Sequence, residues 1–137
     1  MIDLALYSEN ETVSIQSIAR RQNISDSYLE QLMRKLRSAG LIVSVRGAQG
    51  GYKLARPANE ISVGDVLRAL EGSLEAVTCG GEDNSCQGAD LCVTKFVWER
   101  INSSIRDTVD SIKLSQLVEE SRLMREKGQI QVQKCDN

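Results

Sequence analysis

Three thiols fall within fourteen residues of this chain, as Cys79-x6-Cys86-x5-Cys92, in a stretch that also holds three glycines and no proline. In a protein kept reduced, such density points to a metal or redox role. The spacing differs from the paired CxxC of zinc ribbons and of thioredoxin-like centres. Wider spacings in a flexible loop can wrap an iron–sulfur cluster, which is larger than a single ion and takes several thiolates. Zinc on the same thiols, disulfide exchange among them, or three ordinary free thiols are the alternatives at this point. Cys135, far along the chain, reads as a bystander. There is no histidine, which removes Ser-His-Asp triads, Cys–His nucleophiles, HExxH zinc sites and histidine-ligated haem. No catalytic constellation is left, so the expectation is a protein that is not an enzyme and has no small-molecule substrate.

The 137 residues, 41% hydrophobic and 26% charged, suit one globular domain with an appendage. No apolar run approaches the ~18 residues of a membrane span, and no basic-then-apolar leader opens the chain. The expected setting is cytoplasmic, without a membrane partner. Aromatics at 4% exclude a base-stacking platform for single strands. Net charge is −2, but residues 1–57 hold eight Lys/Arg against five Asp/Glu, a net +3 that leaves −5 for the rest. A basic first half and an acidic second half suggest separate binding and regulatory tasks.

Those groups need elements to hold them. Met1–Ser8 reads as the end of a buried helix that starts in mid-pattern, with the expectation of residues upstream. Ser14 caps a helix with Ile15, Ile18 and Ala19 at helical spacing, and Asn23 suits the left-handed turn after it. Ser25 or Asp26 caps a second helix through Ala39, with Leu29, Leu32, Met33 and Leu36 on one face and Gly40 as its stop. Leu41–Val45 and Gly51–Ala55 read as strands of a hairpin around Arg46-Gly-Ala-Gln-Gly-Gly51. Ser62 caps a helix over 63–70. From Val93 to Ile112, apolar residues recur every three or four positions (Val93, Phe96, Val97, Ile101, Ile105, Val109, Ile112). A helix that long, roughly 30 Å, outsizes so small a core, so a partner chain is expected to cover part of it. A short helix near Ser115 and a tail from about 127 complete the reading.

Helix, tight turn, helix and hairpin make a winged helix-turn-helix, whose second helix enters the major groove while the wing reaches the neighbouring groove or backbone. The face of that helix opposite the leucines presents Ser27, Tyr28, Glu30, Gln31, Arg34 and Lys35. Gln can bond adenine at two points and Glu can accept from cytosine N4, while Arg34 and Lys35 suit phosphates. Arg46 is carried out on the wing, and Gly47, Gly50 and Gly51 let backbone approach phosphate.

The segments Ile24-Ser-Asp-Ser-Tyr-Leu-Glu-Gln-Leu32 and Leu41-Ile-Val-Ser-Val-Arg-Gly-Ala-Gln-Gly-Gly-Tyr-Lys-Leu54, with the three cysteines, Thr94 and Trp98, resemble the IscR-type winged-helix iron–sulfur regulators of bacteria. NsrR, RirA and CymR are among the relatives, and CymR-like members lack these cysteines. The resemblance covers nearly the whole chain. It implies Ser27, Glu30 and Gln31 as base readers, Arg46 as the wing residue in the minor groove, and Cys79, Cys86 and Cys92 as cluster ligands. It departs in three places. A basic segment usual before the first helix is absent, and the first cysteine gap is one residue longer. Lys95 stands where IscR-like proteins place a histidine as fourth ligand. An ammonium is no ligand, so the fourth donor is expected to be an oxygen, from Glu82, Asp83, Asp90 or a carboxylate of the N-terminal segment of either subunit (NsrR-like relatives use one from the partner subunit), rather than Cys135.

The expected fold is therefore mainly α with a small β-hairpin wing, a winged helix-turn-helix DNA-binding domain plus a long dimerisation helix. The winged domain spans 1–57, a connecting helix and cluster-binding loop 58–92, the dimerisation and terminal helices 93–126, and a tail 127–137. The expected function is a homodimeric transcriptional regulator, a repressor, reading a palindromic site in double-stranded DNA. It would sense cluster, redox or nitric oxide status through a 2Fe–2S cluster, with 4Fe–4S as the other form. The alternative is a thiol-redox or zinc-stabilised winged-helix regulator.

Overall fold

The computed structural model describes residues 1–8, 11–77 and 92–135, with side chains as far as residue 128. Helix α1 (Ile2–Tyr7) leads to the pair α2 (Ile15–Gln22) and α3 (Asp26–Ser38), then strands β1 (Ile42–Val45) and β2 (Gly51–Leu54). A 3-10 turn at Ala58–Glu60 precedes α4 (Val63–Glu71), and α5 (Val93–Ser111) and α6 (Leu114–Cys135) follow.

The helix ends follow from local chemistry. The Ser14 hydroxyl accepts the Ser17 amide at 3.2 Å, and the Ser25 hydroxyl accepts that of Tyr28 at 3.2 Å, satisfying donors that a first turn leaves unpaired. Asn23 takes the left-handed conformation (φ 53°, ψ 48°) that turns the chain between α2 and α3. β1 and β2 pair antiparallel from Ile42 opposite Leu54 to Val45 opposite Gly51. Val13 adds a third short contact to this sheet, exchanging two hydrogen bonds with Tyr52 at 2.9 and 2.8 Å.

The core gathers Leu4, Ile18, Leu29, Met33, Leu36, Leu41, Ile42 and Ile61, and also Leu114 and Val118 from the start of α6. The amide of Leu114 donates to the Ile61 carbonyl at 2.8 Å, so α6 begins inside the winged-helix core. Beyond it, the buried carboxylate of Asp3 receives Arg21 Nε at 2.9 Å and Nη2 at 2.7 Å. Arg21 lies 4.3 Å from the Tyr7 ring, whose hydroxyl accepts Arg125 Nη1 at 2.8 Å, tying α1, α2 and α6 together.

One expectation is corrected. A short terminal helix and a tail from residue 127 give way to a single helix through Cys135. Glu119, Glu120, Arg122, Met124, Arg125, Glu126 and Lys127 are strong helix formers, and the roughly 1 kcal/mol that Gly128 costs relative to Ala does not offset them.

Helix α4 opens with a complete capping box. Ser62 Oγ accepts the Asp65 amide at 3.0 Å, and Asp65 Oδ2 accepts the Ser62 amide at 3.0 Å. Ser62→Ala should cost about 1 kcal/mol in a denaturant titration. The Ser62 amide, above all, holds the Asp65 carboxyl below its ordinary range, with Arg56 and Arg68 adding to it. Its folded value lies below the unfolded one, so its stabilisation is complete above the unfolded value and is lost as pH falls through the folded one. Asp65→Asn should accordingly flatten the loss of stability below about pH 4.

Candidate functional site

On α3, Leu29, Met33 and Leu36 are buried, whereas Ser27, Tyr28, Glu30, Gln31, Arg34 and Lys35 are all exposed. The structure therefore brings the six expected DNA-facing residues onto the solvent side of one helix. Lys35 differs from the rest because its ammonium donates to the Leu70 carbonyl at 2.9 Å, in the last turn of α4, where a cation also meets the negative end of the helix dipole. Of the two cations expected on phosphates, Lys35 is thus already engaged within the chain. Arg34→Met should lower the slope of log affinity against log salt by about 1. Lys35→Met should lower it less, as a salt series of binding titrations would show.

Arg46 is exposed just beyond β1. Gly47 has φ 123°, a conformation side chains avoid, and its carbonyl accepts the Gly50 amide at 2.9 Å to close the turn. A Cβ on Gly50 would lie 2.6 Å from the Val45 carbonyl oxygen, and one on Gly51 would lie 2.6 Å from that of Val13. The last two glycines are thus required by the wing's own packing, independently of any approach to phosphate.

Helix α5 has two unlike faces. Asn102, Arg106 and Asp110, spaced four residues apart, turn toward the rest of the chain. Asp110 pairs with Arg68 of α4, and Arg106 lies 3.7 Å from Glu75. Asn102 Oδ1 accepts the Ala76 amide at 2.8 Å, and its Nδ2 donates to the Val77 carbonyl at 3.0 Å. The other side is apolar and open. Val93 is 83% exposed, Phe96 66%, Val97 49% and Ile101 37%, and Phe96, Val97, Ile101, Ile105 and Val109 line one groove along it. The polar ladder was missed in the sequence. Its signal was there, as Asn, Arg and Asp at i, i+4 and i+8 beside the apolar stripe, but nothing local named their partners.

Cys92 sits at the N-terminal cap of α5, exposed, with Sγ 2.8 Å from Thr94 Oγ1. The Thr94 hydroxyl first, then the Lys95 amide and the positive charge of Lys95, hold its thiol below the ordinary range. An accessible thiol poised toward thiolate fits a cluster or metal ligand. Cys79 and Cys86, with Glu82, Asp83 and Asp90, lie outside the described residues, as does the side chain of Cys135. Among the described residues no group of three metal-binding side chains comes together, and no helix is long and apolar enough to cross a membrane.

Comparison with known proteins bears on this arrangement. The sequence profile of the Rrf2 family, described as iron-dependent transcriptional regulators, matches residues 1–120. IscR of Pectobacterium atrosepticum, an HTH-type transcriptional regulator, is 44% identical over 124 residues, covering 90% of this chain and 75% of that protein. Among solved structures, IscR of T. potens is 46% identical, with a TM-score of 0.69 over 88% of this chain and 78% of that one. CymR, the global cysteine regulator of B. subtilis, is 38% identical, with a TM-score of 0.71 over 87% of each chain.

Proposed function

The chain belongs to the Rrf2 family of winged-helix transcriptional regulators, and on that premise we propose that it is a homodimeric repressor whose affinity for a palindromic operator is set by an iron–sulfur cluster on Cys79, Cys86 and Cys92. The observation that carries the reading is the place of Cys92. It opens α5, the helix whose outer face is apolar and uncovered and whose inner face is a polar ladder. A change at the thiols therefore acts at the start of the helix that joins two copies.

In the dimer, the α5 stripes of two chains cover one another, and two α3 helices stand about one turn of DNA apart. Ser27, Glu30 and Gln31 read base edges, Arg34 meets phosphate, and Arg46 enters the minor groove. When bound, the cluster supplies a centre whose presence and oxidation state respond to iron, oxygen or nitric oxide. Cys79, Cys86 and Cys92 would hold it, in a 2Fe–2S or 4Fe–4S form. Lys95 offsets its negative charge instead of ligating it, and an oxygen donor completes the set.

The test is anaerobic isolation with iron and sulfide analysis and a visible spectrum. The expected result is a coloured protein whose chromophore is abolished by each of Cys79→Ser, Cys86→Ser and Cys92→Ser and kept by Cys135→Ser and Lys95→Ala. Full iron in any of the first three refutes this ligand set. A colourless protein that holds zinc or a disulfide favours the second reading, a thiol-redox or zinc-stabilised regulator, which the poised thiol of Cys92 would serve equally.

A further inference from the structure

The wing has little core of its own. Of β1 only Ile42 is buried, and every residue from Val43 to Gln49 is exposed. A two-stranded hairpin alone is marginal in water, so its stem and turn must be held from outside. Three successive residues ahead of α2 do this. Val13 pairs through its backbone with Tyr52 of β2, and its closeness leaves no room for a Cβ on Gly51. Ser14 caps α2 by accepting the Ser17 amide. Thr12, just before them, donates its hydroxyl hydrogen to the Gln49 carbonyl at 2.5 Å. Gln49 stands inside the turn that the Gly47 carbonyl and the Gly50 amide close, and Arg46 is the residue that leads into that turn. Residues 12 to 14 thus fasten the turn, the stem of the wing and the start of the helix pair to one another. Of the three links, the one to the turn is made by a side chain, and Thr12 supplies it.

We infer that Thr12 is a positioning residue for DNA binding, whose hydroxyl fixes the wing turn against the start of α2 and so sets where Arg46 stands relative to the exposed face of α3. This role rests on the reading of Arg46 as a groove contact. Thr12 acts before DNA is met, since a turn already held in place need not be ordered on binding, and the saved entropy appears as affinity. A phosphate contact made by Thr12 itself is the rival role. Its effect would persist when Arg46 is removed, whereas the effect of a positioning residue would vanish with the group it positions.

The test is a double-mutant cycle on the full chain, isolated anaerobically and titrated at one salt concentration against a duplex that the wild-type protein selects from random sequence. Thr12→Val keeps the shape of the side chain without its hydroxyl, and the pairing of Val13 through its backbone leaves the fold intact. It should weaken binding about 3- to 10-fold, the scale of one hydrogen bond. Thr12→Ser, which keeps the hydroxyl, should bind within about twofold of wild type. Added to Arg46→Ala, Thr12→Val should cost less than about 1.5-fold. Wild-type affinity in Thr12→Val, an equal loss in Thr12→Ser, or the same loss with and without Arg46 overturns the inference. Arg46→Ala that binds as wild type does is a different failure, which removes the groove contact and the inference with it. A second readout needs no DNA. Nitrogen-15 relaxation of the Arg46, Gly47 and Gln49 amides in the free protein should show larger picosecond-to-nanosecond motion in Thr12→Val and wild-type motion in Thr12→Ser. Unchanged relaxation in Thr12→Val overturns the inference.

Discussion

Ile101→Glu should leave the chain monomeric. Ile101 lies mid-way along the α5 stripe, 37% exposed in a single chain between Val97 and Ile105, and in the proposed dimer a second copy would cover its side chain. A carboxylate there would be buried without a partner on association, a penalty of about 3–5 kcal/mol where a buried charge is left uncompensated. With two copies in the dimer it is incurred twice. The side of α5 facing its own chain is held by the Asn102, Arg106 and Asp110 contacts, so the variant should stay helical while sedimentation velocity reports half the mass. Ile105→Glu should do the same, and Glu99→Gln, outside the groove, should not. A soluble dimer with unchanged sedimentation in both Ile variants would exclude α5 as the interface.

Arg46→Ala should weaken binding to a selected operator by about 1–3 kcal/mol, or roughly 5- to 150-fold, if its guanidinium makes a well-formed groove contact. The wing holds that residue exposed beside a turn closed by Gly47 and Gly50, so truncation removes a contact without disturbing the hairpin. Gln31→Ala should change which base is preferred more than it changes salt dependence, since its exposed, uncharged amide sits on the face of α3 proposed to read bases. Gel shifts of both variants that match wild type would dissociate these residues from DNA recognition.

Much of the winged helix was legible because its signals are local. Ser14, Ser25 and Ser62 each cap the helix expected of them, and Asn23 makes the turn its side chain suits. The exposed face of α3 followed from spacing alone. What was not legible depends on residues distant in sequence. The bridge of Val13 to Tyr52 joins positions 39 apart, and the need for glycine at 51 arises from the Val13 carbonyl. The length of α6 was misread because propensity continues past Gly128 where the apolar pattern fades. The bond from Lys35 to the Leu70 carbonyl was not legible, because no rule of spacing could show that Leu70 would stand within its reach. The burial of Asn102 depends on Ala76 and Val77, 26 and 25 residues away, which its i, i+4, i+8 spacing with Arg106 and Asp110 could not name.

Cluster control of DNA binding is tested by the operator affinity of the anaerobically isolated chain, measured in one sample and at one salt concentration before and after a chelator removes its iron. The duplex is selected from random sequence by the protein itself. The expected result is a coloured protein with iron and sulfide whose Kd changes at least about fivefold on stripping, a coupling of about 1 kcal/mol. A colourless isolate without iron, or one Kd in both states, would contradict it.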